Sequence, residues 1–329
     1  MPLNDLPKID ELRQFVGCHI VGVYRLSSIQ EKISNAGHSR LQLELDDCTG
    51  TISGIVWPEY RTQCQGLKAP SFVYLEGDVR EFDGRLSIHV RLIHTENPDV
   101  LSVGAQLLPR RLCPTAALPG LNHLVSLEDR LEGPMQGFLR RVLLDPEIGV
   151  PFMRCRGSVR HHHSMPGGLL AHSTAVLDLV MYAVLSALPD DHRSLDIAQI
   201  AYLLHDVGKI RTVGESRRPV NGLVVRHEIQ SVKLLAPHLK WLEGRDPELS
   251  VGLEYVLDYI ATPAKARGYA KYLVAEIVAA ADQWSAAAHN GRDLGSLLSC
   301  AGAHPERLFG SAVLAANDSL IDDGVTHGN

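Results

Sequence analysis

HHHSMPGGLLAHS, residues 161–173, sets three consecutive histidines, a Pro-Gly-Gly turn and a fourth histidine, His172, at the mouth of an apolar periodic segment. Clustered histidines at a chain end read as an expression tag, but these lie mid-chain and lead directly into LLAHSTAVLDLVMYAVLSAL, so they belong to the fold. Pro166-Gly167-Gly168 predicts a tight turn that folds the cluster back toward the helix start. Thirty-three residues after His172, AYLLHDVGKI (201–210) ends an apolar helical stretch on His205-Asp206. An ionisable pair in that setting is costly unless something compensates its charge, and a metal ion is the simplest compensation. Gly208 stands where a helix ending at this pair calls for a C-cap glycine.

Outward from these two stretches the chain shows two textures. From about residue 15 to residue 95, CHIVGVYRLSSIQ, SRLQLELDDCTGTISGIVW and SFVYLEGDVREFDGRLSIHVRLI alternate with period two, broken by turn signals at Asn35–Gly37, Asp46–Gly50 and Asp83-Gly84. About five strands with a final hairpin across Asp83-Gly84 fit a small all-β barrel of the OB type; a small β-sandwich is the structural alternative. Residues 96 to about 125 lose periodicity, collect four prolines and read as a linker. Beyond it, Leu/Ala/Val-rich segments repeat with period 3.6 and predict an all-α domain, with Pro189 and Pro237 terminating two helices. The stretch after Asn290 is rich in Gly, Ser and Asp and is expected to be partly ordered. The resulting expectation is a barrel over 1–98, a linker over 99–125, a helical domain over 126–290 and a tail over 291–329.

Composition narrows the function classes. At 329 residues and 45% hydrophobic, two domains are the natural expectation. Six cysteines, scattered without CxxC spacing, argue against a zinc knuckle and a disulfide framework. There is no uninterrupted apolar run of about 18 residues, and MPLNDLPKIDEL carries charges where a leader needs apolar residues, so the expectation is a cytoplasmic chain without a membrane partner. The net charge of −6 makes no global electrostatic case for nucleic acid. Residues 101–160 nonetheless hold eight arginines against five acids, which is either a solvated surface or a path for phosphates.

Two positions extend this chemistry. His172 opens an apolar helix, and Asp282 interrupts VAAADQW, a segment apolar on nearly every face. Singly, such a histidine reads as a capped, hydrogen-bonded residue and such an aspartate as one bonded to backbone amides. Jointly they give H…HD…D on successive helices, the order that defines the HD phosphohydrolase superfamily. The helical half resembles the YhaM-type 3′→5′ exoribonucleases in His162-His163-Ser-Met-Pro-Gly-Gly-Leu-Leu-Ala-His172, in LLHDVGK, in Val-Val-Arg-His227 and in Ala-Ala-Asp282. The resemblance reaches the first half as well, since a barrel with a D-x-T-G turn followed by a tryptophan precedes the HD domain in that family, matched here by DDCTGTISGIVW. HHHSMPGGLLAHS also resembles the HD domain of MobH-type conjugative relaxases, which process DNA.

The resemblance implies an OB-type barrel followed by an HD-superfamily phosphohydrolase domain, with His172, His205, Asp206 and Asp282 as metal ligands and His227 serving a second ion. A mixed nitrogen and oxygen shell suits Mn²⁺ first, with Co²⁺, Fe²⁺ or Mg²⁺ as alternatives. Asp206 is the candidate bridge between two ions. Lys209 either neutralises charge on the phosphoryl group or acts as a helix C-terminal cation. His162 and His163 are candidates to contact the scissile phosphate or protonate the leaving oxygen. Trp57, Tyr74 and Arg85 are candidate base-stacking or phosphate contacts of the barrel, with a core role as the alternative for Trp57. The expected activity is metal-dependent 3′→5′ exonuclease action on single-stranded RNA or DNA. Two alternatives remain: a relaxase-like factor that nicks rarely or only binds, and a small-nucleotide phosphohydrolase. One departure from the family stands out. Its Ser-His-His-Gly motif, implied to help hold the second metal, has no histidine in the corresponding stretch, Leu257–Pro263.

Overall fold

The computed structural model describes residues 7–33, 39–98, 102–160 and 163–289. The tail expected over 291–329 and His162 lie outside the described residues.

The period-two runs form β1 (His19–Ile33), β2 (Ser39–Asp46), β3 (Thr51–Val56), β4 (Ser71–Phe82) and β5 (Arg85–Thr95). They close into a barrel of order β1-β2-β3-β5-β4, which decides between barrel and sandwich. All pairings are antiparallel except β3 with β5. Closure depends on the length of β1: its first half pairs with β4, its second half with β2, and a bulge between Leu26 and Ser28 turns it from one to the other. At the β4–β5 hairpin both Asp83 (φ 50°) and Gly84 (φ 72°) are left-handed, as a two-residue type I′ turn requires. Leu43, Leu45, Leu75 and Ile88, from alternating positions, are fully buried inside.

The D-x-T-G stretch is a structural staple. The Asp47 carboxylate accepts hydrogen bonds from the backbone N–H of Thr49 (2.7 Å), Gly50 (2.9 Å) and Ile9 (2.7 Å), closing its own turn and tying the N-terminal 3₁₀ helix Ile9–Phe15 to the barrel. Burial pushes this carboxyl above its ordinary pKa, against the pull of those bonds.

The second half folds into α1 (Leu118–Arg130), α2 (Gly133–Leu144), α3 (Gly149–Arg154), α4 (Gly168–Thr174), α5 (Leu177–Ala187), α6 (His192–Leu204), α7 (Lys209–Thr212), α8 (Asn221–Val224), α9 (His227–Glu243), α10 (Pro247–Ala261) and α11 (Leu273–His289). Most of α6 is buried, including Ile200, Ala201, Leu203 and Leu204, so it is the central helix of this core. Gly168–Ala187 is long and apolar enough by composition to cross a membrane, but half of its window is buried inside the fold and it is split between α4 and α5. Pro189 follows the end of α5 as expected, whereas Pro237 lies inside α9 instead of ending it. Pro237 and Lys233, whose carbonyl loses its partner, are both on the exposed side, where water replaces the missing bond.

The segment expected as a linker is packed, not a tether. Its prolines frame three 3₁₀ turns, α1 begins already at Leu118, and Ala105, Leu107 and Leu108 are almost wholly buried. Val23 and Phe72 of the barrel form one cluster with Leu107 and with Leu144 of α2. The Arg111 guanidinium donates to the buried Asp46 carboxylate (2.8 Å), and the N–H of Cys48 donates to the Gln106 carbonyl (2.7 Å). Glu128 of α1 accepts from the N–H of Gly104 and Ala105 and from Arg140. Residues Met1–Ala281 thus form one compact unit, and a second begins at Asp282, within α11.

Candidate metal centre

The histidine turn folds back as its sequence predicts. Gly167 is left-handed (φ 80°), and a Cβ on Gly168 would lie 2.0 Å from the His163 carbonyl oxygen, so only glycine lets the turn lie on the start of α4. The His163 carbonyl accepts from the N–H of Gly157 (2.7 Å), and its ring centroid lies 5.6 Å from that of His172. His163 therefore faces the start of the helix that carries His172.

His172 and His205 are both anchored by Tyr202, a fully buried residue of α6. The Tyr202 hydroxyl donates to the His172 carbonyl (3.3 Å), and the Tyr202 carbonyl lies 2.7 Å from His205 Nδ1. A carbonyl only accepts, so Nδ1 carries a proton, and Nε2, the nitrogen that faces Asp206, is the one that would bind a metal.

Asp206 is the focus. His172 Nε2 lies 3.4 Å and His205 Nε2 3.3 Å from its Oδ2, Lys209 Nζ lies 2.5 Å from the same oxygen, and His227 Nε2 is 3.0 Å from Oδ1. Burial pushes this carboxyl's pKa up, yet His205 and Lys209, with hydrogen bonds from both His172 and His205, outweigh it and hold the group well below the usual carboxylate range. The ligand atoms of His172, His205 and Asp206 all lie within 4.8 Å of one another. Two ring nitrogens and a buried carboxylate oxygen converging in this way fit a divalent cation, which supplies the charge that the carboxylate lacks in a buried site.

His227 reaches the centre from the first position of α9. Gly208 makes this possible, though not as the expected C-cap: its φ is −62°, and a Cβ there would lie 2.0 Å from the His227 carbonyl oxygen. Ser231 fastens the same contact, accepting from the Gly208 N–H (2.9 Å) and donating to the His205 carbonyl (3.0 Å). Lys209, expected to face a phosphoryl group or a helix end, pairs directly with Asp206. Asp282 is half-buried on α11, at the first residue of the second unit.

The sequence missed Tyr202 and Ser231. Tyr202 precedes His205 by three residues in a helix, the spacing at which a backbone carbonyl meets a histidine ring, but within AYLL it reads only as core. Ser231 carries no such local signal.

On the barrel, Trp57 is half-buried, with its ring edge-on to His89 (centroids 5.7 Å apart) and the Arg40 guanidinium 6.0 Å from its ring centre. Tyr74 stacks on His94 (4.9 Å, 16°) and donates its hydroxyl to Glu76. Arg85 is exposed at the first position of β5, at the other end of the strand from His94, on which Tyr74 stacks, so the three residues do not form a single cluster.

Residues 169–287 match the HD domain family. The 3′-5′ exoribonuclease YhaM of Bacillus velezensis is 25% identical over 202 residues, covering 60% of this chain and 60% of that protein. The YhaM protein of a Geobacillus species is 25% identical over 193 residues, covering 58% and 57%. The chain thus spans about 60% of the length of the curated relatives it matches. Among solved structures, the second OB-fold domain of replication protein A from Methanococcus maripaludis is 23% identical, covers 27% of this chain and 92% of that one, and gives a TM-score of 0.22. Residues 169–287 of the helical half are an HD domain, a closed OB-type barrel precedes it in the chain, and the chain is similar to the YhaM exoribonucleases over more than half its length.

Proposed function

We propose that this chain is a metal-dependent phosphodiesterase that shortens single-stranded nucleic acid from its 3′ end, with RNA as the favoured substrate. The observation that carries this reading is the convergence of three imidazoles and one ammonium on the buried carboxylate of Asp206, inside the segment that matches the HD domain. The relatives' activity, 3′-5′ exoribonuclease, supports the choice of RNA and of the 3′ end.

His172, His205 and Asp206 would hold the metal, and Mn²⁺ is the ion best suited to these donors. The bound ion supplies Lewis-acid polarisation of the scissile phosphoryl oxygen. The protein's own groups do the rest. Tyr202 fixes the tautomer and orientation of His205. Lys209 offsets negative charge that develops on the phosphoryl oxygens, and His163, with His162 next to it in sequence, delivers a proton to the leaving oxygen. Trp57 and Tyr74 each offer a ring for a base to stack on, and Arg85 contacts the backbone of the strand.

End-labelled single strands of RNA and DNA, incubated with the protein and Mn²⁺, test the proposal. A ladder of single-nucleotide steps from the 3′ end, faster on RNA, is the expected result. One discrete cut in DNA points instead to relaxase-like processing, and turnover of free nucleotides without attack on polymers points to a small-nucleotide phosphohydrolase.

A further inference from the structure

Beside the metal centre, a cavity of about 500 Å³ opens between α9 and α10 and reaches His205. This is within the range of about 300–1,000 Å³ that small-molecule sites occupy. Its floor is Leu235 and Leu239 of α9, both buried, and its wall is Leu257 of α10. Leu257 and Asp258 follow Glu254 at three and four residues, which puts all three on one face of α10. Ser250 donates to Glu254 Oε1 (3.1 Å) and so orients that carboxylate.

The chemistry of the lining selects its occupant. Arg226 is offset by Glu228, 3.9 Å away, so Glu254 and Asp258 leave the lining net negative, which repels phosphate, and an apolar floor does not solvate a cation. A flat, uncharged ring with N–H donors on one edge satisfies both: the ring covers the leucines and the edge meets the carboxylates, which only accept hydrogen bonds. Among nucleobases, guanine presents adjacent N1–H and N2–H₂ donors and can engage one carboxylate in two bonds.

We infer that this cavity receives the terminal nucleobase of the strand and prefers guanine, with Asp258 and Glu254 reading its donor edge. The inference rests on the hydrolytic reading of the adjacent centre. With the base seated between α9 and α10, the attached phosphate lies toward His205 and Lys209, where the charge is favourable, and away from the acidic rim.

The test uses the full chain and four single strands that differ only in the 3′-terminal base. The expected kcat/KM for terminal guanine is about tenfold above that for uracil. In Asp258→Asn and Glu254→Gln this preference falls to about twofold or less, chiefly through KM. Saturation-transfer NMR of free guanosine with the wild-type protein gives a readout that needs no turnover: guanosine protons are saturated, and the signal falls in Leu257→Trp, which fills the cavity. Equal rates for all four ends, or guanosine saturation unchanged in Leu257→Trp, overturns the inference. Wild-type turnover of bis(p-nitrophenyl) phosphate reports the hydrolytic reading separately, so that a failure there is distinguishable from a failure of the base site.

Discussion

His205 donates its Nδ1 proton to the carbonyl of Tyr202, three residues earlier in the chain, across 2.7 Å. The bond leaves Nε2 facing Asp206 and makes the last turn of α6 part of the metal centre, so the backbone of the central helix sets the ligand geometry.

Asp206→Ala removes the one carboxylate on which all the imidazoles converge. Hydrolysis is expected to fall by a factor of about a thousand or more, since both the ion and the charge partner of Lys209 are lost. Far-UV circular dichroism should retain the helical signal, and bound metal should drop. Full activity in a metal-free preparation of this variant contradicts the assignment.

His227 meets the oxygen of Asp206 opposite to the one shared by His172, His205 and Lys209. As the proposed ligand of a second ion it has no histidine to assist it within Leu257–Pro263. One tightly held metal per chain is expected, with a second that is weak or arrives with substrate. Plasma mass spectrometry after gel filtration checks this: wild type and His227→Ala should both retain one equivalent, and two retained equivalents in both would refute it.

Trp57→Ala and Arg85→Ala should differ in kind. Loss of a stacking ring weakens binding of long single strands by about tenfold at any salt concentration. Loss of a phosphate contact lowers the slope of log K against log salt by about one. Fluorescence anisotropy over a salt series separates the two, and parallel lines for Arg85→Ala and wild type would show that Arg85 touches no phosphate.

Cysteine reactivity reports the packing around the joint between barrel and helices. Burial pushes the thiols of Cys48 and Cys155 up to about 12 and that of Cys113 to about 11, whereas Cys18 is exposed. A raised thiol pKa means less thiolate: at pH 8 a thiol at about 12 is ionised on the order of one part in ten thousand. Iodoacetamide at pH 8 followed by peptide mass spectrometry should modify Cys18 and spare these three, with their labelling rising only as the pH approaches 11. Early labelling of Cys48 would show that its contact with Gln106 opens in solution.

What the sequence determined by itself is what a few neighbouring residues encode. Period-two runs gave the five strands, Asp83-Gly84 the hairpin, and the apolar run ending at His205-Asp206 the central helix with its charged end, because side-chain direction follows backbone period over short distances. Tertiary structure decided which faces meet. Pro237 stayed inside α9 because solvent takes the freed carbonyl, and the proline-rich segment after the barrel became packed because Val23, Phe72, Leu107 and Leu144 bury one another. Gly208 serves the close approach of α9, not a helix cap, and that approach brings His227 to an aspartate 21 positions earlier in the chain. Such contacts join residues whose local sequences carry no mark of each other, and only the packing of the apolar core fixes the distances between them.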